Sequence, residues 1–243
     1  VTLTDGDGDQ VTSTAADISS HISFLDDGPT APTVTVGTPT VGVDETPGVQ
    51  TTGGASDVLG STAITFNGAA TTVAGLFANV ANKGTDTDVP AASLDNGALS
   101  FASSGASSIV TVTGGAFGAD GAGTTSSALS VTNAASGLTL TDGTAITLSL
   151  VGGQIIGTVG ADAANPSLTG KVAFAIALDP LTGQVYVAQY LSLHQDSLSN
   201  TPNDLLSLAA GSVGVTVTLT DGDGDQVSSV ADIGTHINFL DDG

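Results

Sequence analysis

The chain has 243 residues, enough for a sizeable core or two domains, and its 24 acidic groups face two lysines and no arginine, a formal charge of −22. That balance excludes nucleic acid as a partner, because neutralising phosphates takes a Lys/Arg footprint that Lys83 and Lys171 cannot supply. The absence of cysteine excludes disulfides and thiolate-bound metals, and with no run near 18 apolar residues and no basic segment ahead of an apolar one, neither a membrane span nor a signal peptide is expected.

In chain order, residues 1–28, VTLTDGDGDQVTSTAADISSHISFLDDG, come first, and they return almost unaltered as 217–243, VTLTDGDGDQVSSVADIGTHINFLDDG, one residue shorter. What lies between is therefore one period of a tandem array, as in a long rod of copied modules. The valine at position 1 adds the expectation of an internal fragment. Residues 26–33, DDGPTAPT, read as a linker that Pro29 and Pro32 hold extended and stiffer than a Gly/Ser tether. The boundary falls here: 1–28 are the closing strands of a preceding copy, and 29–243 are one complete module.

Short runs rich in Val, Thr, Ile and Leu follow at 33–36, 63–66, 98–101, 108–113, 145–150, 154–159, 172–178, 184–190, 213–220 and 236–240. The only helical spacing is Val73, Leu76, Phe77 and Val80, which predicts one or two turns packed on a sheet. The 49–57 and 114–127 stretches, rich in Gly, Ser, Thr and Ala, read as loops of no evident function. Gly152-Gly153 sets up one hairpin, and the DPLTG of 179–183 sets up another. In 172–178 the large residues Val172, Phe174, Ile176 and Leu178 alternate with alanines, so period two places them on one face. A short turn is expected at 203–208. The fold class is all-β: an elongated Ig-like or related antiparallel β-sandwich with long loops and at most short helices.

Chemistry concentrates in two turns, Asp5-Gly6-Asp7-Gly8-Asp9 and Asp221-Gly222-Asp223-Gly224-Asp225. Carboxylates at every second position, with glycines that let the backbone curl, converge with carbonyl oxygens on a point, and calcium takes six to eight such hard oxygens at roughly 2.3–2.6 Å. The alternative is a hairpin in which Asp-Gly serves only turn geometry. Three carboxylates in five residues without a basic neighbour repel one another, which favours an ion. Strand directions then put Asp26 and Asp27 beside the 221–225 turn, with Asp44 and Glu45 as candidates to close the cage, and give Asp241 and Asp242 the equivalent place in the next copy. Calcium so held stiffens the joint between adjacent repeats of one polypeptide. The competing geometry is a purely local site in each turn.

The run VTVTLTDGDGDQV, the segment HINFLDDG, the proline-containing linker and VGVDE resemble the long DxDGD-containing extender repeats of giant type I-secreted bacterial adhesins related to the repeats-in-toxin proteins. Residues 174–204, with ALDPLTGQVYV and YLSLHQD, resemble the late portion of the secretion-associated repeat of these proteins. The likeness covers 172–243 and 1–45, is thin over 50–170, and this copy is longer than the usual unit. The resemblance implies a secreted, extracellular module at the bacterial cell surface or in a biofilm, with calcium on Asp221, Asp223, Asp225, Asp26, Asp27, Asp44 and Glu45, and with host, surface or matrix ligands bound by other domains. The glycine-rich nonapeptide repeats of the β-roll are missing, and 114–120, GGAFGAD, is a single loose echo of them.

Rival readings are weaker. His194 near Asp196, Ser192, Ser197 and Ser199 gives a hydrolase no nucleophile elbow, so no enzyme activity is expected. His21 and His236 start equivalent segments, which points to packing. Tyr186 and Tyr190 share a strand face but make a poor glycan platform without tryptophan, and scattered Thr-x-Thr pairs do not make an ice-binding stack. A glycan- or receptor-binding module, and a subunit of an extracellular filament or surface layer with homotypic contacts through 1–28, remain as alternatives.

Overall fold

The computed structural model describes residues 1–46, 48–87, 89–195 and 204–240. One layer is a six-stranded antiparallel sheet in the order Ala135–Thr139, Ala145–Val151, Gln154–Val159, Val172–Leu178, Val185–Gln189, Ser100–Ser103. The facing layer is built from three smaller sheets. Val213–Thr220 lies between Thr124–Val131 and Gln226–Asp232. Ile237–Leu240 lies between Leu205–Ser207 and Val41–Asp44, and Thr33–Val36 pairs with Val110–Thr113. Between the layers, Ile146, Leu148, Ile155, Phe174 and Ile176 meet Leu129, Val213, Val215, Val217, Ile237 and Phe239, all in one apolar cluster. The protein is all-β and sandwich-like.

The six-stranded sheet is covered on its other face as well. The hairpin Ala63–Phe66/Ala69–Thr72 leads into a single helical turn, Val73–Leu76, capped by the Thr72 hydroxyl accepting from the Gly75 amide at 3.1 Å. Val73 and Phe77 from this cover pack on Phe101, Ala175, Ala177, Tyr186 and Tyr190. Val172–Leu178 is therefore buried on both faces, and on the outer one Ala175 and Ala177 let the cover approach closely. The alternation expected for 172–178 holds for Phe174, Ile176 and Leu178 but fails at Val172. A register shift opposite Gly157 and Thr158 inserts one residue and sends Val172 to the outer cluster and Ala173 to the inner one. Tyr186 and Tyr190 do share a face, but it is the covered one, with 4% and 2% exposure, so they offer a glycan no platform.

Five strands went unpredicted. Thr124–Val131, eight residues long, starts inside the stretch read as a loop, and Leu205–Ser207 replaces the expected turn. Val41–Asp44, Ala69–Thr72 and Ala135–Thr139 are the others. Most of these are rich in Gly, Ala, Ser and Thr, and they are strands because a neighbour supplies the ladder.

Residues 1–25 form a projecting arm. Its hairpin, Thr2–Thr4 with Gln10–Thr12, and its 3-10 turn Ser19–His21 reproduce the register and turn of 218–228 and Gly234–His236. The environments differ. Leu219, Ile233, Ile237, Phe239 and Leu240 are buried, whereas their counterparts Leu3, Ile18, Ile22, Phe24 and Leu25 are exposed.

Candidate metal centre

The two acidic turns close in the same way. The Asp5 amide donates to the Asp9 carbonyl at 3.0 Å and the Asp221 amide to that of Asp225 at 3.0 Å; Gly8 and Gly224 both take positive φ. In each, the first aspartate is the keystone. Asp5 Oδ1 accepts from the amides of Asp7 and Asp9, and Asp221 Oδ1 from those of Gly224 and Asp225 at 3.1 and 2.8 Å. One carboxylate oxygen from each of Asp5, Asp7 and Asp9, and from each of Asp221, Asp223 and Asp225, lies within 4.8 Å of the others.

What surrounds the turns separates them. The first is wholly exposed. Over the second runs the glycine-rich segment 114–123, so close that a Cβ on Gly222 would collide with the Asp120 carbonyl and one on Gly123 with the carbonyls of Thr220 and Asp221. Gly118, at positive φ, is pressed in the same way against the carbonyls of Asp27 and Gly28. Glycine is what lets three backbones meet here. The linker is fastened from both sides: the Thr30 amide donates to the Ala116 carbonyl at 2.8 Å, the Ala119 amide to Asp27 Oδ2 at 3.0 Å, and the Ser229 hydroxyl to the Pro32 carbonyl at 2.6 Å.

This saddle brings in Asp120. Oxygens of Asp26, Asp120 and Asp223 lie within 4.8 Å of one another, so Asp223 belongs to two triads at once. Asp26 also reaches Asp225. The mutual repulsion shows in the acidities. Contact with Asp26 raises Asp225 above the ordinary carboxylate range, and contact with Asp221 raises Asp223. Partial desolvation, then Asp26 and Asp221, raise Asp120. Desolvation pushes Asp221 upward too, but hydrogen bonds from Asp223 and from the amides of Asp225 and Gly224 outweigh it and hold Asp221 low. Asp221 is only 4% exposed, and its Oδ2 has no hydrogen-bond partner. An acceptor buried among other carboxylates is costly to leave uncompensated.

Asp27 is spent on the Ala119 amide. Asp44 and Glu45, named as candidates to close this cage, are at the other end of the sandwich. Val41–Asp44 runs parallel to Ile237–Leu240, with Asp44 opposite Leu240, so both strands carry the chain away from the 221–225 turn. There Glu45 Oε2 accepts from Gln189 Nε2 at 3.0 Å and from the Leu193 amide at 3.3 Å, tying the sheet to the segment that follows it. Asp44 lies against Asp57, whose carboxylate accepts from the Asp44 and Gln50 amides; burial and then the Asp44 charge work against those bonds, and Asp57 is raised to about 7. Asp241 and Asp242 lie outside the described residues, as do Asp196, Ser197 and Ser199. Sequence reasoning missed Asp120. The only signal was a lone aspartate in a run of closely spaced glycines, GGAFGADGAG.

The chain belongs to the DUF5801 family, described as a domain of unknown function, which matches residues 40–234. No curated protein and no solved structure matches it. Among the described residues no helix is long and apolar enough to cross a membrane.

Proposed function

We propose that the chain is a calcium-stiffened extender module of a large secreted bacterial surface adhesin, serving cell adhesion or biofilm formation. The carrying observation is the meeting of Asp26 from the linker, Asp120 from the glycine saddle and Asp221, Asp223 and Asp225 from one turn, with the buried Asp221 Oδ2 unpartnered. Oxygen-only donors in an irregular loop suit calcium better than magnesium, which demands octahedral order. Asp221 and Asp223 supply oxygens from the turn, Asp26 and Asp120 close it from linker and saddle, and Asp225 joins through Asp26. An ion there binds only the assembled junction, so it cancels the repulsion among these groups and fixes the angle at which 1–25 leaves.

The exposed arm supports the array. The apolar side chains buried at 219–240 recur, exposed, at 3–25, as expected of strands whose own sandwich is a preceding copy. The same exposure is what a filament subunit would use to dock on another chain, and it is the one observation that favours that reading. Calcium titration of the 243-residue chain followed by small-angle scattering and sedimentation separates them. The extender reading expects a monomer whose distribution of arm orientations narrows with calcium. Superimposable profiles in calcium and chelator would remove the stiffening, and calcium-driven oligomers would favour the filament.

A further inference from the structure

At the far end of the six-stranded sheet two further carboxylates face each other. Asp142 sits in the exposed turn between Ala135–Thr139 and Ala145–Val151, where its Oδ1 accepts from the Thr144 amide at 2.9 Å. Asp162 comes from the loop joining Gln154–Val159 to Val172–Leu178 and is 4% exposed. Its Oδ1 accepts from the Asn165 amide at 2.6 Å and its own amide donates to Thr169 Oγ1 at 2.9 Å, which locks the side chain in place. Its Oδ2 is buried with no hydrogen-bond partner, and its carboxyl lies within hydrogen-bonding reach of Asp142. Ionised carboxylates are acceptors only, so this contact has no donor in it.

Something electrophilic belongs between them, a proton or a cation. A groove lined by Asp142, Gly143, Gly160 and by Ala161 and Ala163, the two neighbours of Asp162, opens beside Asp142, and its small side chains leave room for an ion that keeps several waters. We propose that Asp142 and Asp162 form a second divalent-cation site, taking a hard, oxygen-seeking ion such as calcium. It lies at the end of the sandwich that holds Glu45 and Leu240: Leu140 bridges to Leu193, the Leu193 amide donates to Glu45, and the Glu45 amide donates to the Leu240 carbonyl. It shares no residue with the junction and stands without it.

The test is a calcium chloride titration of the chelator-treated 243-residue chain, followed by amide NMR, on the native sequence and on Asp142→Asn. The substitution keeps a side-chain oxygen to accept from the Thr144 amide and falls on an exposed turn, so the fold is retained. The expected result is saturable shifts at Gly143, Thr144 and Asn165 that Asp142→Asn abolishes, while shifts at Gly222 and Gly224 persist. Absence of saturable shifts at 143, 144 and 165, or the same shifts in Asp142→Asn, overturns the site. Shifts at 143–165 without any at 222 and 224 would keep this site and sink the junction reading.

Discussion

Matched glycines in the two acidic turns isolate what the saddle contributes. A methyl added at Gly6 would have nothing within 4 Å, whereas one at Gly222 would run into the Asp120 carbonyl. Neither glycine takes a positive φ, so alanine tests contact and not backbone strain. Gly222→Ala should destabilise the chain by about 1–3 kcal/mol in urea unfolding, the usual cost of overpacking. Gly6→Ala should fall within about 0.5 kcal/mol of the native chain. Equal effects would mean that the saddle does not press on the turn. Asp57 makes a separate prediction at this scale: its carboxyl carbon should titrate near pH 7 by NMR, and a midpoint near the ordinary 3.8 would show that its burial is wrong.

At the scale of the element, alternation and hairpin turns were legible where a strand carries its own pattern. Val213–Thr220 and Gln154–Val159 match their sequence runs end to end, and the Gly152-Gly153 and 179–183 reversals fall where expected. Thr124–Val131, TTSSALSV, was not legible, because only Leu129 along it is buried and its strand state is imposed by eight paired residues of Val213–Thr220. The same physics hid the site. The acidic turns announce themselves locally, but Asp120 matters only because the saddle crosses the second of them, a fact of tertiary approach. The position of Asp44 and Glu45 depended on a parallel pairing that no local pattern encodes. The cover was half-legible, since the spacing of Val73 and Phe77 marked an apolar face without saying which sheet it meets. Phe77 stacks on Phe101 with ring centroids 6.1 Å apart and is 1% exposed. Phe77→Ala should cost about 3–5 kcal/mol, and a loss under about 1 kcal/mol would show that the cover is loosely docked.

For the whole molecule, a charge of −22 makes stability a matter of what gathers on the acids. Asp57, Asp120, Asp223 and Asp225 are all raised in the folded chain above the ordinary 3.8. The folded state therefore binds more protons than the unfolded one between that value and about 7, and this contribution is present at low pH and lost as pH rises. Without calcium, the melting temperature should fall from about pH 4 to 7. With calcium, which binds the ionised junction, the fall should shrink or reverse, so the calcium-induced gain is larger at about pH 7 than at about pH 4; parallel curves in calcium and chelator would contradict this. The most direct test is a crystal structure of the chain grown with calcium, with anomalous scattering used to locate the ion. The account predicts a peak bonded to oxygens of Asp221 and Asp223 and closed by Asp26 and Asp120, at roughly 2.3–2.6 Å. An ordered junction with no such peak, at calcium concentrations that fill extracellular sites, would contradict it.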